Sequence, residues 1–393
     1  MPIDIKKFYR NVSIILACLI INNYILISLS FFGILVKINL IIFFLLTIYF
    51  YIKHFKTNLP LKVYFLLILV IWLGTSVTGW DARSLYLFHA KRIFFDNSIY
   101  SVVDNYAKFS HNDYPLLVQS LTASFALLVG YWHEIFPKTA YAFMYLPPLI
   151  FLSTYLNYKK YIIFLSLIIF FLGNHIFNIG ADGVLAAYFI TSAYCFFIIF
   201  FKDENERRLN LITLLFCIIL SLIKNEGLVL LVLIFFSTLT IKIFEKNLVN
   251  TSKKISFFLI SFVPIIAWKI YCYSNGVSNT DFSFSLLSEN FIGRAIQIES
   301  YELFLNYFIL SNEKSLIAIS VFFTSLYLNF NKKLFYFTII LFLSYLLILV
   351  LVYFSTPYDL TYHLETSAHR ILKSLTLLLS FFALYNLNLK SLK

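Results

Sequence analysis

The sequence predicts an all-α polytopic membrane protein: a single bundle of about twelve transmembrane helices, with juxtamembrane helices along its outer face. Three observations carry this expectation. Of 393 residues, 61% are hydrophobic and only 13% charged, whereas soluble domains run at about 45–50% and about 25%. Mean hydropathy is +0.84. The apolar stretches are continuous and long, lacking the ten-residue alternation of membrane barrel strands. A water-soluble enzyme is excluded, and so is a disordered chain, which lacks apolar residues rather than exceeding the norm.

Lys6, Lys7 and Arg10 open the chain before the first apolar run, 12–32. That run is too long for a signal-peptide core and ends in no small-residue cleavage site, so it reads as a retained first helix starting inside. Further runs fall at 38–52, 63–78, 114–131, 139–156, 161–177, 184–201, 209–223, 228–244, 255–273, 315–328, 334–354 and 371–387. No soluble domain, linker or internal repeat interrupts them, so residues 1–393 read as one membrane domain.

Basic clusters decide which runs cross. They are Lys53/Lys56/Lys62, Lys159/Lys160, Lys202/Arg207/Arg208, Lys242/Lys246/Lys253/Lys254, Lys332/Lys333 and Lys390/Lys393. Cytoplasmic loops collect Lys and Arg. If 114–131 crosses fully, every later cluster is thrown outside. If it lies at the interface or re-enters, all six join the N-terminus inside. The inside then holds 19 of the 31 basic but only 5 of the 19 acidic residues. The expectation is therefore about twelve spans plus one apolar helix that does not cross. Three long outer loops follow, at 79–138, 274–312 and 355–370.

The same rule accounts for the net charge of +12 without nucleic-acid binding. Cys18, Cys195, Cys217 and Cys272 lie in apolar runs with no CxxC pair, so neither a disulfide framework nor a zinc site is signalled. Lys outnumbers Arg 24 to 7, a bias expected of an AT-rich prokaryotic genome.

Chemistry-bearing residues gather in the outer loops. Asp81 follows Trp80 at the end of the third run, where a low-dielectric boundary raises a carboxylate toward general-base range; a helix N-cap is the alternative. The stretch 82–95 mixes Arg83, Lys91 and Arg92 with apolar residues and suits a helix lying on the membrane. Its bases are either phosphate ligands or merely snorkelling. In His111-Asn112-Asp113-Tyr114-Pro115, Pro115 suits the first position of a helix capped near Asp113 or Tyr114; alternatively His111 and Asp113 share a pocket with Asp81. Asp182, between Gly180 and Gly183, is either a tight turn or a site carboxylate. Lys224 and Glu226 interrupt an apolar stretch. Ionisable groups at such depth are usually paired and functional, although a purely structural pair satisfies the same cost. In the last outer loop His363, Ser367 and Arg370 fall on one helix face, and His with Arg suits an anionic phosphate. A divalent cation is possible there, but the spacing matches no strong zinc pattern.

In this order, Trp80-Asp81, HNDYPLL at 111–117, GAD at 180–182, KNEGL at 224–228 and HLETSAHR at 363–370 resemble the GT-C superfamily of integral-membrane glycosyltransferases. The similar branches are bacterial relatives of the dolichyl-phosphate-mannose protein mannosyltransferases and the lipid A aminoarabinose transferases. The resemblance implies a GT-C-type bundle that transfers a sugar, with inversion, from a polyprenyl-phosphate donor to a hydroxyl on a lipid, glycan or protein. It implies Asp81 as base, Asp182 as second site acid and His111 as a phosphate contact. It further implies a bacterial plasma membrane with the site on the periplasmic or extracellular face. Tyr114 stands where the family's Pro-Pro-Leu pattern has a further Pro, and no soluble C-terminal domain indicates the acceptor. A transporter or flippase, or a polymerase of lipid-linked envelope glycans, is the alternative. A transporter predicts repeats and broken helices meeting at mid-bilayer, whereas the ionisable residues here gather at one surface.

Overall fold

The computed structural model describes residues 3–30, 33–55, 79–176, 180–204, 206–246, 248–277, 284–310 and 312–387. The predicted third span, 63–78, and Lys56, Lys62, Lys390 and Lys393 lie outside the described residues. Among the described residues every regular element is helical.

The chain opens with α1 (Ile3–Ser28) and α2 (Ile34–Phe55). A π-helical turn, Ala82–Tyr86, leads into α3 (Leu87–Asp96), and α4 is Leu117–Val129. A one-turn 3-10 segment, Phe136–Thr139, continues into α5 (Ala140–Met144) and α6 (Leu146–Leu152). Then follow α7 (Tyr158–Leu172), α8 (Asp182–Phe201), α9 (Arg207–Ile223), α10 (Asn225–Phe244), α11 (Leu248–Phe258) and α12 (Val263–Ser274). The last are α13 (Phe284–Ile296), α14 (Ile298–Leu305), α15 (Glu313–Leu328), α16 (Lys332–Phe354) and α17 (Leu360–Asn386).

Among the described residues, seven helices are long and apolar enough to cross a membrane, or eight if the bent pair Ile298–Leu310 and Glu313–Leu328 forms one span. The fold is that of a multi-pass integral membrane protein. Several other predicted runs fold as shorter helices: α7 has 15 residues and α9 has 17. The run at 139–156 is broken at Tyr145, just before Pro147 and Pro148, where missing N–H groups interrupt the ladder. The bundle is built around α8. Its apolar span is buried throughout, with α6, α9, α10 and α17 packed against it.

The basic clusters meet at one end. Arg10 of α1 pairs with Glu206 (2.6 Å) before α9 and donates to Tyr155 Oη (2.5 Å) after α6. Lys160 donates to the carbonyl of Leu387 at the end of α17. Lys333 donates to the Phe201 carbonyl at 3.5 Å, and Lys242 lies 4.8 Å over the Phe201 ring. Arg10 and Tyr155 therefore share one end of the bundle, and α4, a short helix, lies between them in the chain. Its 13 residues reach only about 20 Å. With the four native cysteines replaced, a cysteine at Lys159 or at Lys202 is expected to react with an impermeant thiol reagent from one face, and one at the exposed Glu134 from the other. Labelling of 159 and 134 from the same face would contradict this arrangement.

Two of the loops predicted to lie outside are largely helical. Segment 274–312 contains α13 and α14, and 355–370 is mostly the beginning of α17. Asp359 caps α17 by accepting from the Tyr362 N–H at 2.9 Å, and no Gly or Pro follows to stop the helix.

Candidate active site

Helices α8, α10 and α15 begin at one height, which α17 passes at Arg370. From the clustered end, Phe201 to Asp182 is 19 residues up α8, and Asn386 to Arg370 is 16 residues up α17. At about 1.5 Å per residue this is about 24–29 Å, close to the hydrocarbon thickness of a bilayer. The ionisable residues collect at this level.

At the centre is Lys224, the single non-helical residue between α9 and α10, with extended φ −165° and ψ 171°. Its ammonium lies 2.7 Å from Asp182 Oδ1 and 3.0 Å from Glu226 Oε1. Asp182 and Glu226 occupy the first turns of α8 and α10, where the helix dipole favours a carboxylate. Burial opposes the charge on Lys224, but the two carboxylates prevail and hold its pKa above the ordinary lysine range.

Each acid is followed by a glycine for a steric reason. A Cβ on Gly183 would lie 2.0 Å from Tyr145 Oη, and one on Gly227 1.9 Å from the Leu220 carbonyl oxygen. Only glycine lets these helix starts approach their neighbours so closely. Ala181 adopts the left-handed conformation, φ 56°, which costs on the order of 1 kcal/mol and turns Asp182 into the bundle. Asp182 is thus the opening residue of a buried helix, not part of a tight turn.

Asp81 forms an ion pair with Arg370 of α17. It makes no side-chain cap bond to the helix that it precedes, so the N-cap alternative is not realised. Arg370 senses the charges of Asp81, Asp182 and Glu226, which joins the two ion-pair systems into one cluster. Tyr86 lies in the field of these four groups, and Tyr114 in that of Glu226 and Lys224. Burial, then Glu226, pushes both phenols well above their ordinary pKa, so both remain neutral hydroxyl donors. The carboxylates differ in access: side-chain exposure is 38% for Asp81 and 36% for Glu226, but 8% for Asp182.

Asp113 was expected near the cap of the following helix. That helix instead begins at Leu117 with Leu116 as its uncapped N-cap. Asp113 Oδ2 accepts from Lys269 Nζ at 2.7 Å and from Asn225 Nδ2 at 2.9 Å, and the Trp268 indole donates to its carbonyl at 3.1 Å. A buried carboxylate gains more from a cation than from helix N–H groups that water also satisfies. Asp113 thereby ties the 111–115 turn to α10 and α12. His111, at φ 50°, stacks on Tyr114 with ring centroids 4.9 Å apart.

The remaining candidates lie farther out. Lys91 is exposed and 4.0 Å from Glu134. Arg92 pairs with Asp104 at 2.6 Å and donates to the Ser101 carbonyl, so its charge staples the loop. Arg83 is exposed on the π-helical turn. His363 packs 4.7 Å from the Tyr353 ring. Its backbone carbonyl accepts from Ser367 Oγ at 2.6 Å, so it shares a face with Arg370 as its spacing predicts. Two contributors were missed in the sequence: Tyr86 and Lys269. Each sits among ordinary apolar or loop residues with no motif around it. Among the described residues, no three His, Cys, Asp or Glu side chains converge to hold a metal ion.

The loop beneath this site has its own pH limit. His89 is fully buried, with Nε2 2.8 Å from the Ser110 carbonyl oxygen, and burial lowers its pKa to about 4. The unfolded chain takes up the proton near pH 6.5. The stabilisation is therefore complete above pH 6.5 and declines toward pH 4, by on the order of 3 kcal/mol. Limited proteolysis of 97–113 is expected to rise over that interval in the parent and less in His89→Gln; equal profiles would refute the assignment.

Comparisons with known protein families, curated proteins and solved structures find nothing that matches the chain. The fold and site define a multi-pass helical membrane protein with a buried acid–base cluster at one end of its bundle.

Proposed function

We propose that the chain is a GT-C-type glycosyltransferase that moves a sugar from a polyprenyl-phosphate carrier to a hydroxyl acceptor, with inversion. In this reading the bundle crosses twelve times: α1, α2, the 63–78 run, α5–α6, α7, α8, α9, α10, α11–α12, α15, α16 and α17. The Asp81 end faces the periplasm or exterior of a bacterial plasma membrane, the clustered basic end the cytoplasm.

The observation that carries the reading is the Asp81–Arg370 pair beside the buried Asp182–Lys224–Glu226 system, at the height where helices end. A lipid-linked donor presents its sugar phosphate at that height. The acceptor oxygen attacks the anomeric carbon, its proton passes to Asp81, and the carbon–oxygen bond to phosphate breaks with the electron pair leaving on phosphate. A positioned base contributes roughly 10²–10⁴-fold. Preorganised cations stabilise the charge that grows on the leaving phosphate; Arg370 is paired with the base, and Lys224 lies in the adjoining ion-pair system, with Arg83 and His111 as further candidate phosphate contacts. Asp182 acts as a positioning residue because its carboxylate is buried against Lys224. The acceptor is a lipid, glycan or protein hydroxyl.

The test supplies the purified protein with short-chain polyprenyl-phosphate sugars and a membrane extract as acceptor source. Release of free polyprenyl phosphate that disappears in Asp81→Asn supports the reading. Absence of release from every donor refutes it.

A further inference from the structure

The loop between α3 and α4 holds one aromatic ring out to solvent. Arg92 organises this loop. Its guanidinium pairs with both carboxylate oxygens of Asp104, at 2.6 and 3.2 Å, and donates to the Ser101 carbonyl. Tyr106 is pinned through its backbone: its N–H donates to Asp104 Oδ1 at 3.1 Å, and its carbonyl accepts from Asn112 Nδ2 at 2.8 Å. Its ring stacks on Phe88 of α3, with centroids 6.2 Å and planes 28° apart. The Arg92 guanidinium lies 5.7 Å from the centre of each of these rings. Tyr106 nevertheless remains 67% exposed, and its hydroxyl makes no hydrogen bond among the described residues.

A pinned backbone and a ring packed on one side leave little side-chain freedom to lose when a ligand covers the rest. The surroundings choose the ligand. The backbone here is irregular, Asn105 is exposed, and the Asp104 carboxylate is 40% exposed. Such a segment does not face lipid hydrocarbon, where its polar groups would go unsatisfied. The open ring is apolar, while the phenol hydroxyl, the Asn105 amide and the Asp104 carboxylate beside it are donors and acceptors. An apolar aromatic face with a few polar groups to fix orientation is the usual make-up of a small-molecule subsite. A pyranose divides in the same way, with C–H groups on its faces and hydroxyls around its edge. Phe88 stands seven positions after Asp81, about 10 Å along the helix, so a short oligosaccharide stacked on Tyr106 extends to the Asp81 carboxylate.

We propose that Tyr106, on its support of Phe88 and Arg92, is a saccharide-stacking subsite, and that the acceptor is a glycan. The subsite stands on its own geometry; its use for an acceptor rests on the glycosyl transfer proposed above.

Saturation-transfer NMR of the full chain tests it, in a polyoxyethylene detergent that carries no sugar. The probes are tetrasaccharides of a neutral hexose, of an N-acetylhexosamine and of a hexuronic acid, with dihexanoylphosphatidylcholine as a lipid control. At least one tetrasaccharide is expected to take up saturation at its ring C–H protons, in the parent and in Asp81→Asn alike. Tyr106→Ala is expected to weaken that binding by about fivefold, and Tyr106→Phe and Tyr106→Trp by less than about twofold, because each keeps an aromatic face. The position is exposed, so all three variants are expected to fold. Binding of none of the tetrasaccharides, or binding that Tyr106→Ala leaves intact, overturns the subsite even where Asp81-dependent sugar transfer is observed. Saturation of the lipid alone, lost in Tyr106→Ala, identifies a membrane contact and also overturns it. Tetrasaccharide binding that depends on Tyr106 upholds the subsite even where no donor is turned over, and only the acceptor role then falls.

Discussion

Asp81→Asn is expected to lower sugar transfer by roughly two orders of magnitude or more, about 2.7 kcal/mol of barrier. The substitution is nearly isosteric and leaves a hydrogen-bond acceptor for Arg370. The protein should reach the membrane in normal amount. What disappears is the group that takes the acceptor proton, so donor binding should change little while turnover falls. Arg370→Ala should weaken donor binding as well, because the phosphate loses its cation. Had Asp81 capped its helix, Asn would replace it with little effect, but its side chain makes no cap bond. Activity of the Asn variant within about threefold of the parent, at equal protein, would show that the base is elsewhere. Glu226 would then be the next candidate: it is the other partly exposed carboxylate of the cluster, and its Oε2 has no hydrogen-bond partner among the described residues.

Periodicity and charge made the helical membrane fold legible. The positive clusters fixed which ends lie together, because each charge must stay near water while each apolar run buries itself. The ion-pair partners were not legible. Asp81 and Arg370 are separated by 289 positions, and no local pattern in either segment names the other. Lys224, by contrast, was visible as a charge in an apolar stretch, and it is buried as that cost requires. Asp113 misled for a related reason. An Asp two residues before Pro fits a helix start, and only the packing of α12 brings Lys269 to it. The partner of Arg92 was not legible either. The charge is evident in the sequence, but its partner Asp104 takes it up locally.

Lys224→Met is expected to destabilise the fold by about 3–5 kcal/mol, the usual cost of stranding a buried charge by removing its partner. Methionine fills the space, so the loss is electrostatic and not a cavity effect. Asp182 is the group left behind: its carboxylate is 8% exposed, too little for water to replace the ammonium. Glu226, at 36% side-chain exposure, can turn toward solvent and contributes less. The effect therefore has a specific partner and is reversible. Adding Asp182→Asn to Lys224→Met should recover more than half of the loss, because the double variant buries neutral groups of the same shape. Glu226→Gln in the same background should recover little. Thermal unfolding of the three variants in one detergent measures this. Equal stability of Lys224→Met and the parent would mean that the triad carries no net energy. Failure of Asp182→Asn to rescue would place the cost in the α9–α10 turn, where the extended backbone of Lys224 joins two helices through a single residue.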